Sequence, residues 1–407
     1  MKNTRPYAAA GATVALLLLI GQAQVASRSE VRAGQSSTSN PPGDDLARDD
    51  AARTILTIDH WVPHISTAHA NGGEHVELFV RERVRRGGPR QKPVVLMIHG
   101  ATVPAVPQYD LRFEDYSWMA FLAQAGFDVF ALDLQGYGLS PRPRMDDPCN
   151  TQGTQQALLI PNPLAGPCPA TYGFKMAMQS DWDEIDEIVE YLKDLRGVEK
   201  VSLIGHSRGG PRAGGYAANH PENVDKLFLY APAMYTRQGP SDPPPLPETG
   251  SLMQLGTVQN LTNNWNSQVH CENQFVPAIR PAIWASILAF DPVGSTWGDG
   301  QLWRAPVQNT LWGWNQGSAA HIEAPTLIIR GEFDTQAPLP LQRDLFDDLG
   351  TNRKVFVRVA CSGHQLVWEN QHTVLFDASR QWLRHGRFAG NPSGSFFVDT
   401  KGNVFPE

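Results

Sequence analysis

Two short, continuous apolar runs mark the first buried strands of the chain. Residues 94–98 lead into His99-Gly100, and residues 129–132 lead into Asp133. A continuous run of this length is typical of a strand covered on both faces. Between the two runs, residues 116–125 have helical spacing and stop before Gly126, a residue suited to a helix C-terminus. This order predicts an α/β protein with a mostly parallel sheet flanked by helices.

The next predicted helix and strand lead directly into a serine turn. Ser180 and Asp183 form a capping-box pattern, followed by apolar residues at a helical period. Residues 201–204 form a further apolar run that ends in Gly205-His206-Ser207-Arg208-Gly209. A serine on a sharp turn between strand and helix has a strained backbone, so its flanking residues must lack Cβ to avoid a clash. The G-x-S-x-G pattern alone is a weak signal, and the flanking strand and helix give it weight.

Several motifs between about residues 53 and 387 resemble those of the α/β-hydrolase family. The residues from His99 to Thr102 resemble its oxyanion loop, and Asp133 to Ser140 resemble the turn after its fourth strand. Gly331 to Asp334 resemble the turn with its catalytic acid, and Ser362-Gly363-His364 resemble its histidine loop. The order Ser, Asp, His along the chain is the order that this fold uses. The resemblance implies an α/β-hydrolase fold with a cap insertion between the sixth and seventh strands.

The resemblance also implies a catalytic role for each motif. Ser207 is the expected nucleophile, His364 the general base and Asp334 the acid that orients the imidazole. A serine hydroxyl is a weak nucleophile at neutral pH, so a base must take its proton during attack. The tetrahedral intermediate needs backbone donors for its oxyanion. The expected donors are the N–H groups of Arg208 and of Ala101 or Thr102.

Each assignment has an ordinary structural alternative. Ser207 as a simple turn residue and His364 as a surface loop histidine are the competing interpretations. Glu332 lies two residues from Asp334 and is an alternative acid. Asp133 is expected to hydrogen-bond its own turn rather than to act in catalysis.

A group of histidines near the start of the folded region invites a metal interpretation. Pro63 interrupts helical spacing, and no Cys or carboxylate completes a ligand set. Scattered surface histidines are therefore the default for His60, His64, His69 and His75. The sequence predicts no metal site and no cofactor.

The composition and the N-terminal sequence predict a protein that is located outside the cytoplasm. The chain has 407 residues, 41% of them apolar, and a net charge of -7, which favours a large globular core and no nucleic-acid partner. Residues 1–26 resemble a signal peptide, with Lys2 and Arg5 before a short apolar run. Residues 27–52 have the composition of a flexible linker. A periplasmic or secreted protein without stable membrane insertion is predicted, with an uncleaved anchor as the alternative.

Four cysteines in an exported chain suggest two disulfides, with three possible pairings. Cys149 and Cys168 lie in one Pro-rich stretch and form the preferred pair. Cys271 would then pair with Cys361, beside the histidine loop. Free buried thiols are the alternative.

The remaining predictions concern the domain boundaries, the cap and the residues that bind the substrate. Residues 53–235 and 321–407 are predicted to form the hydrolase core, the second part ending in a C-terminal tail, and residues 236–320 to form a cap. The region between the predicted sixth and seventh strands holds six of the 11 Trp residues. Tryptophan gives large contact area at low entropic cost, which favours an apolar cleft. The residues expected to line it are Trp297, Trp303, Trp312 and Trp314.

Together these features predict an exported serine hydrolase that cleaves a small apolar or aromatic carboxylic ester through an acyl-enzyme. Amide, peptide, lactone and C–C bond hydrolysis on the same residues stay open. A catalytically silent binding module is a remote alternative. The sequence makes no prediction of the oligomeric state.

Overall fold

The computed structural model describes residues 54–87, 92–171, 176–245, 252–306 and 308–407. The signal peptide and linker predicted for residues 1–52 lie outside these ranges. Within them, no helix has the length and apolarity that crossing a bilayer requires.

The described residues form strands that are numbered here in chain order. The strands are β1 Ile55–Ile65, β2 His75–Arg85, β3 Val94–Ile98, β4 Asp128–Leu132, β5 Met176–Ala177, β6 Val201–His206, β7 Val224–Tyr230, β8 Gln254–Thr257, β9 Leu302–Ala305, β10 Gln308–Thr310, β11 Thr326–Gly331, β12 Lys354–Val359, β13 Gly394–Val398 and β14 Val404–Pro406. Ten of them form one sheet in the order β1-β2-β4-β3-β6-β7-β11-β12-β13-β14. Neighbours from β4 to β13 are parallel, and the pairs at the two edges are antiparallel.

The helices lie between these strands. They are α1 Ala105–Tyr109, α2 Trp118–Gln124, α3 Met178–Arg196, α4 Gly209–Asn219, α5 Val258–Asn266, α6 Ile279–Ala289, α7 Gln316–Ala320, α8 Leu339–Asp348 and α9 His372–His385. Short 3₁₀ turns occupy Pro148–Asn150, Gly153–Leu159, Gly294–Thr296 and Leu366–Trp368.

The sheet is buried on both faces, which explains the continuous apolar runs in the sequence. Along β3, Val95 and Met97 pack on one face, while Val94 and Leu96 pack on the other. Every residue of β3, β4, β6 and β11 is buried. The predicted fold class, a mostly parallel sheet flanked by helices, is confirmed.

The segment between β7 and β11 contains β8, α5, α6, β9, β10 and α7. β8 and β9 pair antiparallel with each other, and β10 pairs with β5, so this segment adds no strand to the central sheet. Its interior is not separate from the main core, because Trp265 and Ile283 join the apolar cluster on one face of the sheet. Its role as a cap stays a prediction.

Two helix boundaries differ from the prediction for local reasons. α3 begins at Met178, directly after β5, so Ser180 lies inside the first turn and is not the N-cap. α2 begins at Trp118 because the Ser117 side chain accepts a hydrogen bond from the Ala120 N–H at 3.0 Å and caps the helix there.

The edges of the sheet hold strands that the sequence pattern did not reveal. β1 and β2 form a long antiparallel pair before the first predicted strand. The predicted C-terminal tail is instead ordered into β13, which pairs parallel with β12, and β14. Edge strands are short or half-exposed, so they lack the uniform apolar runs of central strands.

The early histidines are only partly on the surface. His69 and His75 are exposed, as expected. His60 is half-buried between Glu82 and Tyr191, and His64 is 7% exposed, so the default of surface histidines is wrong for these two. They lie on β1, the edge strand of the sheet, whose alternate residues from His60 to His64 face the protein interior.

Both preferred disulfides are present. Cys149 is bonded to Cys168, and Cys271 is bonded to Cys361. The first closes the loop after β4 on itself. The second ties the segment between β7 and β11 to the loop that carries His364.

Candidate active site

Ser207 sits on a sharp turn between β6 and α4. Its φ is +53°, in the left-handed region that side chains other than glycine rarely adopt. The turn is held by its own backbone: the Ser207 N–H donates to the Tyr230 carbonyl at 3.0 Å, and the Ser207 carbonyl accepts from Gly210 and Ala233 at 2.9 Å each. The surrounding structure therefore holds this strained conformation in place.

The two glycines that flank this turn are required for steric reasons. A Cβ on Gly205 would lie 2.3 Å from the Gly209 carbonyl oxygen. A Cβ on Gly209 would lie 2.3 Å from the Ile98 carbonyl oxygen on the neighbouring strand β3. Both distances are far inside van der Waals contact, so the turn requires glycine at each position.

His364 and Asp334 meet where β12 and β11 end. The His364 Nδ1 lies 3.0 Å from the Asp334 Oδ1, and both side chains are almost fully buried. The same oxygen accepts the N–H groups of Gln336 and Ala337 at 2.9 and 3.0 Å. Burial alone raises the pKa of Asp334, but the attraction and hydrogen bond of His364, the Ala337 N–H and the Arg330 charge outweigh it and hold that pKa below its usual value. Asp334 is therefore ionised at neutral pH.

The loop after β3 lies beside the serine. Arg212, fully buried in α4, donates to the carbonyls of His99 and Gly100 at 3.0 and 2.9 Å. The Trp303 Nε1 donates to the Thr102 carbonyl at 3.0 Å. These contacts fix the carbonyl side of the loop that contains Ala101 and Thr102, whose N–H groups were the expected oxyanion donors. The third expected donor, the Arg208 N–H, lies at the N-terminus of α4.

A cavity of about 330 Å³ opens above the serine. Ser207, His364, Ala101 and Thr102 all line it. The rest of its wall comes from α1, the 3₁₀ turn Gly153–Leu159, the end of β6, β8, α5, β9 and the loops that follow β11 and β12. The structure therefore brings the predicted nucleophile, base and oxyanion loop to one cavity, with Asp334 directly behind the base.

The comparisons with known proteins agree with this architecture. A sequence model described as α/β hydrolase fold matches residues 93–269. A structure of a serine hydrolase involved in carbazole degradation, the CarC enzyme, superposes with a TM-score of 0.50 at 16% identity, covering 81% of this chain and 99% of that one. Together, the sequence model and this structure show that the chain has the α/β-hydrolase fold.

Curated relatives match the sequence at low identity over part of its length. A 2-hydroxy-6-oxononadienedioate/2-hydroxy-6-oxononatrienedioate hydrolase of Cupriavidus pinatubonensis is 25% identical over 287 residues, which is 68% of this chain and 82% of the relative. The Abhydrolase domain-containing protein abhd-5.2 of Caenorhabditis elegans is 28% identical over 112 residues, 28% of this chain and 19% of the relative. The chain thus spans less than a third of the length of some relatives it matches.

The loop that carries His364 is held by Gln268, a residue that the sequence analysis missed. The Gln268 Oε1 accepts the His364 N–H at 2.9 Å and the Thr335 N–H at 3.3 Å. Its Nε2 donates to the carbonyl and side-chain oxygens of Asn264 in α5. One fully buried amide therefore joins the loop that carries His364, the loop that carries Asp334 and the segment between β7 and β11.

Glu369 and Tyr230 support the same loop. The two Glu369 oxygens accept the Gly363 N–H at 2.7 Å and the Trp265 Nε1–H at 2.8 Å. Burial raises the pKa of Glu369 to about 7, against the lowering effect of these donors. The Tyr230 hydroxyl donates to the His364 carbonyl. No local sequence pattern marks these residues, because the contacts of Glu369 with Trp265 and of Tyr230 with His364 join residues 104 and 134 positions apart.

The four predicted cleft tryptophans have different positions. Trp303 lines the cavity. Trp314 packs over Gly214 in α4, Trp312 packs edge-on to Trp182 of α3, and Trp297 lies under the Arg304 guanidinium in a small separate cluster. These three are therefore packed elsewhere within the described residues, so the expected aromatic cleft is reduced to one of its four members.

The alternative acids have structural partners. The Glu332 carboxylate accepts the Cys361 N–H at 3.1 Å. Asp133 accepts the N–H groups of Ala105 and Leu139 at 2.7 and 3.1 Å, within and beside its own turn. Across the described ranges, no group of three or more His, Cys, Asp or Glu side chains is arranged to hold a metal ion.

Proposed function

We propose that this protein is a serine hydrolase that cleaves carboxylic esters through an acyl-enzyme. The observation that carries the proposal is that His364, which lines the same cavity as Ser207, is paired with the buried Asp334 behind it. A buried, ionised carboxylate on one ring nitrogen leaves the other nitrogen to act as the base.

The proposed reaction has two halves. In the first, the Ser207 Oγ attacks the ester carbonyl while His364 takes the hydroxyl proton, and the tetrahedral intermediate collapses when the alcohol oxygen leaves with that proton. In the second, His364 takes a proton from water, and the resulting hydroxide attacks the acyl-enzyme. The acid is released, and Ser207 recovers its proton from His364. Asp334 stabilises the imidazolium in both halves.

The oxyanion would be stabilised by backbone N–H groups. Ala101 and Thr102 line the cavity, and among the described residues neither N–H donates to another protein group. Arg212 and Trp303 bind the carbonyls of the same loop, so its donors are held in position before the reaction. Donors fixed in this way need no reorganisation when charge develops on the carbonyl oxygen.

C–C bond hydrolysis is the second candidate, because relatives such as that of Cupriavidus pinatubonensis are named for 2-hydroxy-6-oxononadienedioate. That name denotes a dicarboxylate. No Lys or Arg is among the residues that line the described cavity. A carboxylate buried without a cation or sufficient donors is costly, which favours the ester proposal.

Export is part of the proposal. Two disulfides support an oxidising compartment, since they are rare in reducing cytoplasm. The proposed signal peptide would deliver the protein to the periplasm or the medium, where a small ester would be its substrate.

Covalent labelling by a fluorophosphonate tests the proposed nucleophile. The wild type should be labelled and should hydrolyse p-nitrophenyl acetate. Ser207→Ala should lose the label and at least about a thousandfold in kcat/KM, as expected when a triad nucleophile is removed. Ser295→Ala, at a half-buried serine outside the cavity, is the control and should keep both. Labelling of a folded Ser207→Ala variant contradicts the assignment.

A further inference from the structure

Carboxamides are the main polar side chains in the wall of the Ser207 cavity. One of them, Gln155, has a structural role: its amide pairs with both the N–H and the carbonyl of Leu255, at 2.8 and 2.9 Å. The other carboxamides in the wall are Gln108, Gln254, Asn260, Asn264, Gln336 and Gln365. No Lys, Arg, Asp or Glu is among the lining residues in the described part of the chain.

These amides are present from the floor of the cavity to its mouth. Gln108 and Gln365 are 2% and 7% exposed and lie near the reacting groups, one beside the loop after β3 and the other next to His364. Gln254 is half-buried, whereas Asn260 and Gln336 are exposed at the mouth. A substrate that reached Ser207 would therefore meet amides along its whole length.

Several of these amides have unused hydrogen-bonding capacity. The Gln108 Oε1 accepts the Gly100 N–H at 3.4 Å, but its buried Nε2 has no partner among the described residues. Within the same ranges, the side chains of Gln254, Asn260 and Gln365 make no hydrogen bond to protein. Buried polar groups are nearly always satisfied, so an unsatisfied donor in a cavity wall indicates a ligand or water that binds there.

The chemistry of the carboxamide defines the partner. An amide both donates and accepts hydrogen bonds and has no net charge, which matches a hydroxyl group, itself both donor and acceptor. A purely apolar ester would displace water from these amides and return no hydrogen bond. An anionic ester would lose hydration without meeting a cation. The apolar faces of Trp303 and Trp368 in the same wall suit the C–H surface of a polyol or sugar.

We infer that the substrate is an uncharged ester whose acyl or alcohol part carries several hydroxyl groups, such as a polyol or sugar ester. This inference rests on the proposed ester hydrolysis and replaces the apolar or aromatic ester expected from the tryptophan content.

Matched esters test the inference in the wild-type protein. Glycerol monobutyrate and propyl butyrate differ only in two hydroxyls on the alcohol, and ethyl 2,3-dihydroxybutanoate and ethyl butanoate differ only in two on the acyl part. In at least one pair, kcat/KM should be about tenfold or more higher for the hydroxylated member, because each satisfied hydrogen bond contributes about a factor of five to ten. The kcat/KM for the acetate ester of glycolamide, which is uncharged, should likewise be higher than the kcat/KM for the acetate ester of glycolate, which is anionic at neutral pH.

Two asparagines of α5 provide matched variants. Asn260 lines the cavity, whereas Asn263, exposed on the same helix, does not and instead pairs with Gln259. Asn260→Ala should reduce the ratio of kcat/KM for the hydroxylated and plain esters by about fivefold, and Asn263→Ala should leave that ratio unchanged. Gln365→Ala should reduce the ratio further, since Gln365 is more buried.

The outcomes separate this inference from the proposed function. If no ester of either type is hydrolysed, the proposed function fails. If the plain esters are cleaved as well as the hydroxylated ones, or the glycolate ester is preferred, the function stands and this inference is overturned. A preference for N-acetylalanine ethyl ester over every hydroxylated ester also overturns it, because the amides would then recognise a peptide.

Discussion

The loops at the ends of the central strands and the segment between β7 and β11 meet at one cavity, but they are held in different ways. The strand-end loops are fixed by backbone geometry. Ser207 is held at positive φ by bonds to Tyr230, Gly210 and Ala233, and glycine is required on both sides of it. The segment is fixed by side chains that reach across to those loops.

Several such contacts run from the segment to the loops. Gln268 binds the His364 loop and the Asp334 loop, Trp265 binds Glu369, and Trp303 binds the carbonyl of Thr102. Cys271 is covalently bonded to Cys361. The segment therefore supports the catalytic loops in addition to forming the outer wall. Replacing the segment by a short linker should therefore lower kcat even for a small activated ester.

After the removal of Ser207 itself, the largest effect expected within the strand-end loops is at the acid. Asp334→Asn should lower kcat by about a thousandfold or more, because the amide cannot stabilise the imidazolium and favours the wrong tautomer. Glu332→Gln is the matched control, since its carboxylate accepts a backbone N–H and does not contact His364. Steady-state kinetics on one ester measures both variants. A larger loss in Glu332→Gln would reassign the acid.

The sequence predicted the strand-end loops well because their determinants are local. The apolar run of β3, the glycines around Ser207 and the turn after β11 each act within a few residues. The support of those loops was not predictable in this way. Gln268 contacts a residue 96 positions away, so its role depends on tertiary packing that no local pattern records. Strand β13, next to the edge of the sheet, was missed for a related reason, since its pairing with β12 defines it.

The next effect concerns Gln268, which we expect to be a positioning residue. Gln268→Ala should lower kcat by about ten- to a hundredfold with little change in KM, because the His364 and Thr335 N–H groups lose the acceptor that aligns base and acid. Gln268→Met keeps the size of the side chain but not the acceptor, and should be impaired to a similar degree.

Two measurements distinguish positioning from folding. Gln259→Ala, at an exposed glutamine of the same region, should match the wild type in kcat and thermal stability. If Gln268→Met has wild-type kcat, the side chain acts through packing alone. If the variants lose stability in proportion to activity, positioning of the base is not its role.

A smaller effect is expected at Trp303. Trp303→Phe keeps an aromatic ring in the cavity wall but removes the Nε1–H that binds the Thr102 carbonyl, so the oxyanion loop should be less ordered and kcat should fall by about three- to tenfold. Trp382→Phe is the control, because it loses a similar bond, to the Leu227 carbonyl at 3.1 Å, far from the cavity. Trp382→Phe should lower the thermal stability and leave kcat unchanged. Equal kcat losses in the two variants would show that the Trp303 bond has no special role.

The smallest effect concerns the pH dependence of stability beneath the strand-end loops. Glu184 of α3 is fully buried and accepts the N–H and side-chain amide of Gln135, in the turn after β4, at 2.9 and 2.8 Å. Burial, followed by repulsion from Asp181, raises the pKa of Glu184 to about 8. In the unfolded chain the pKa of this group is near 4.5. The folded protein therefore retains a proton on Glu184 that the unfolded chain has lost. Its stabilising contribution is complete below about pH 4.5 and is lost as the pH rises through about 8.

Glu184→Gln should remove this pH dependence. Between pH 5 and 9, the thermal midpoint of Glu184→Gln should fall by a few °C less than that of the wild type. This difference corresponds to on the order of 2 kcal/mol in the free energy of unfolding. Glu187→Gln, at an exposed position of the same helix, should follow the wild-type curve. Thermal unfolding followed by circular dichroism across this pH range measures all three proteins. Parallel curves for Glu184→Gln and the wild type would mean that Glu184 is ionised throughout, held by the donors of Gln135, and that the turn after β4 gains its stability from a buried charge.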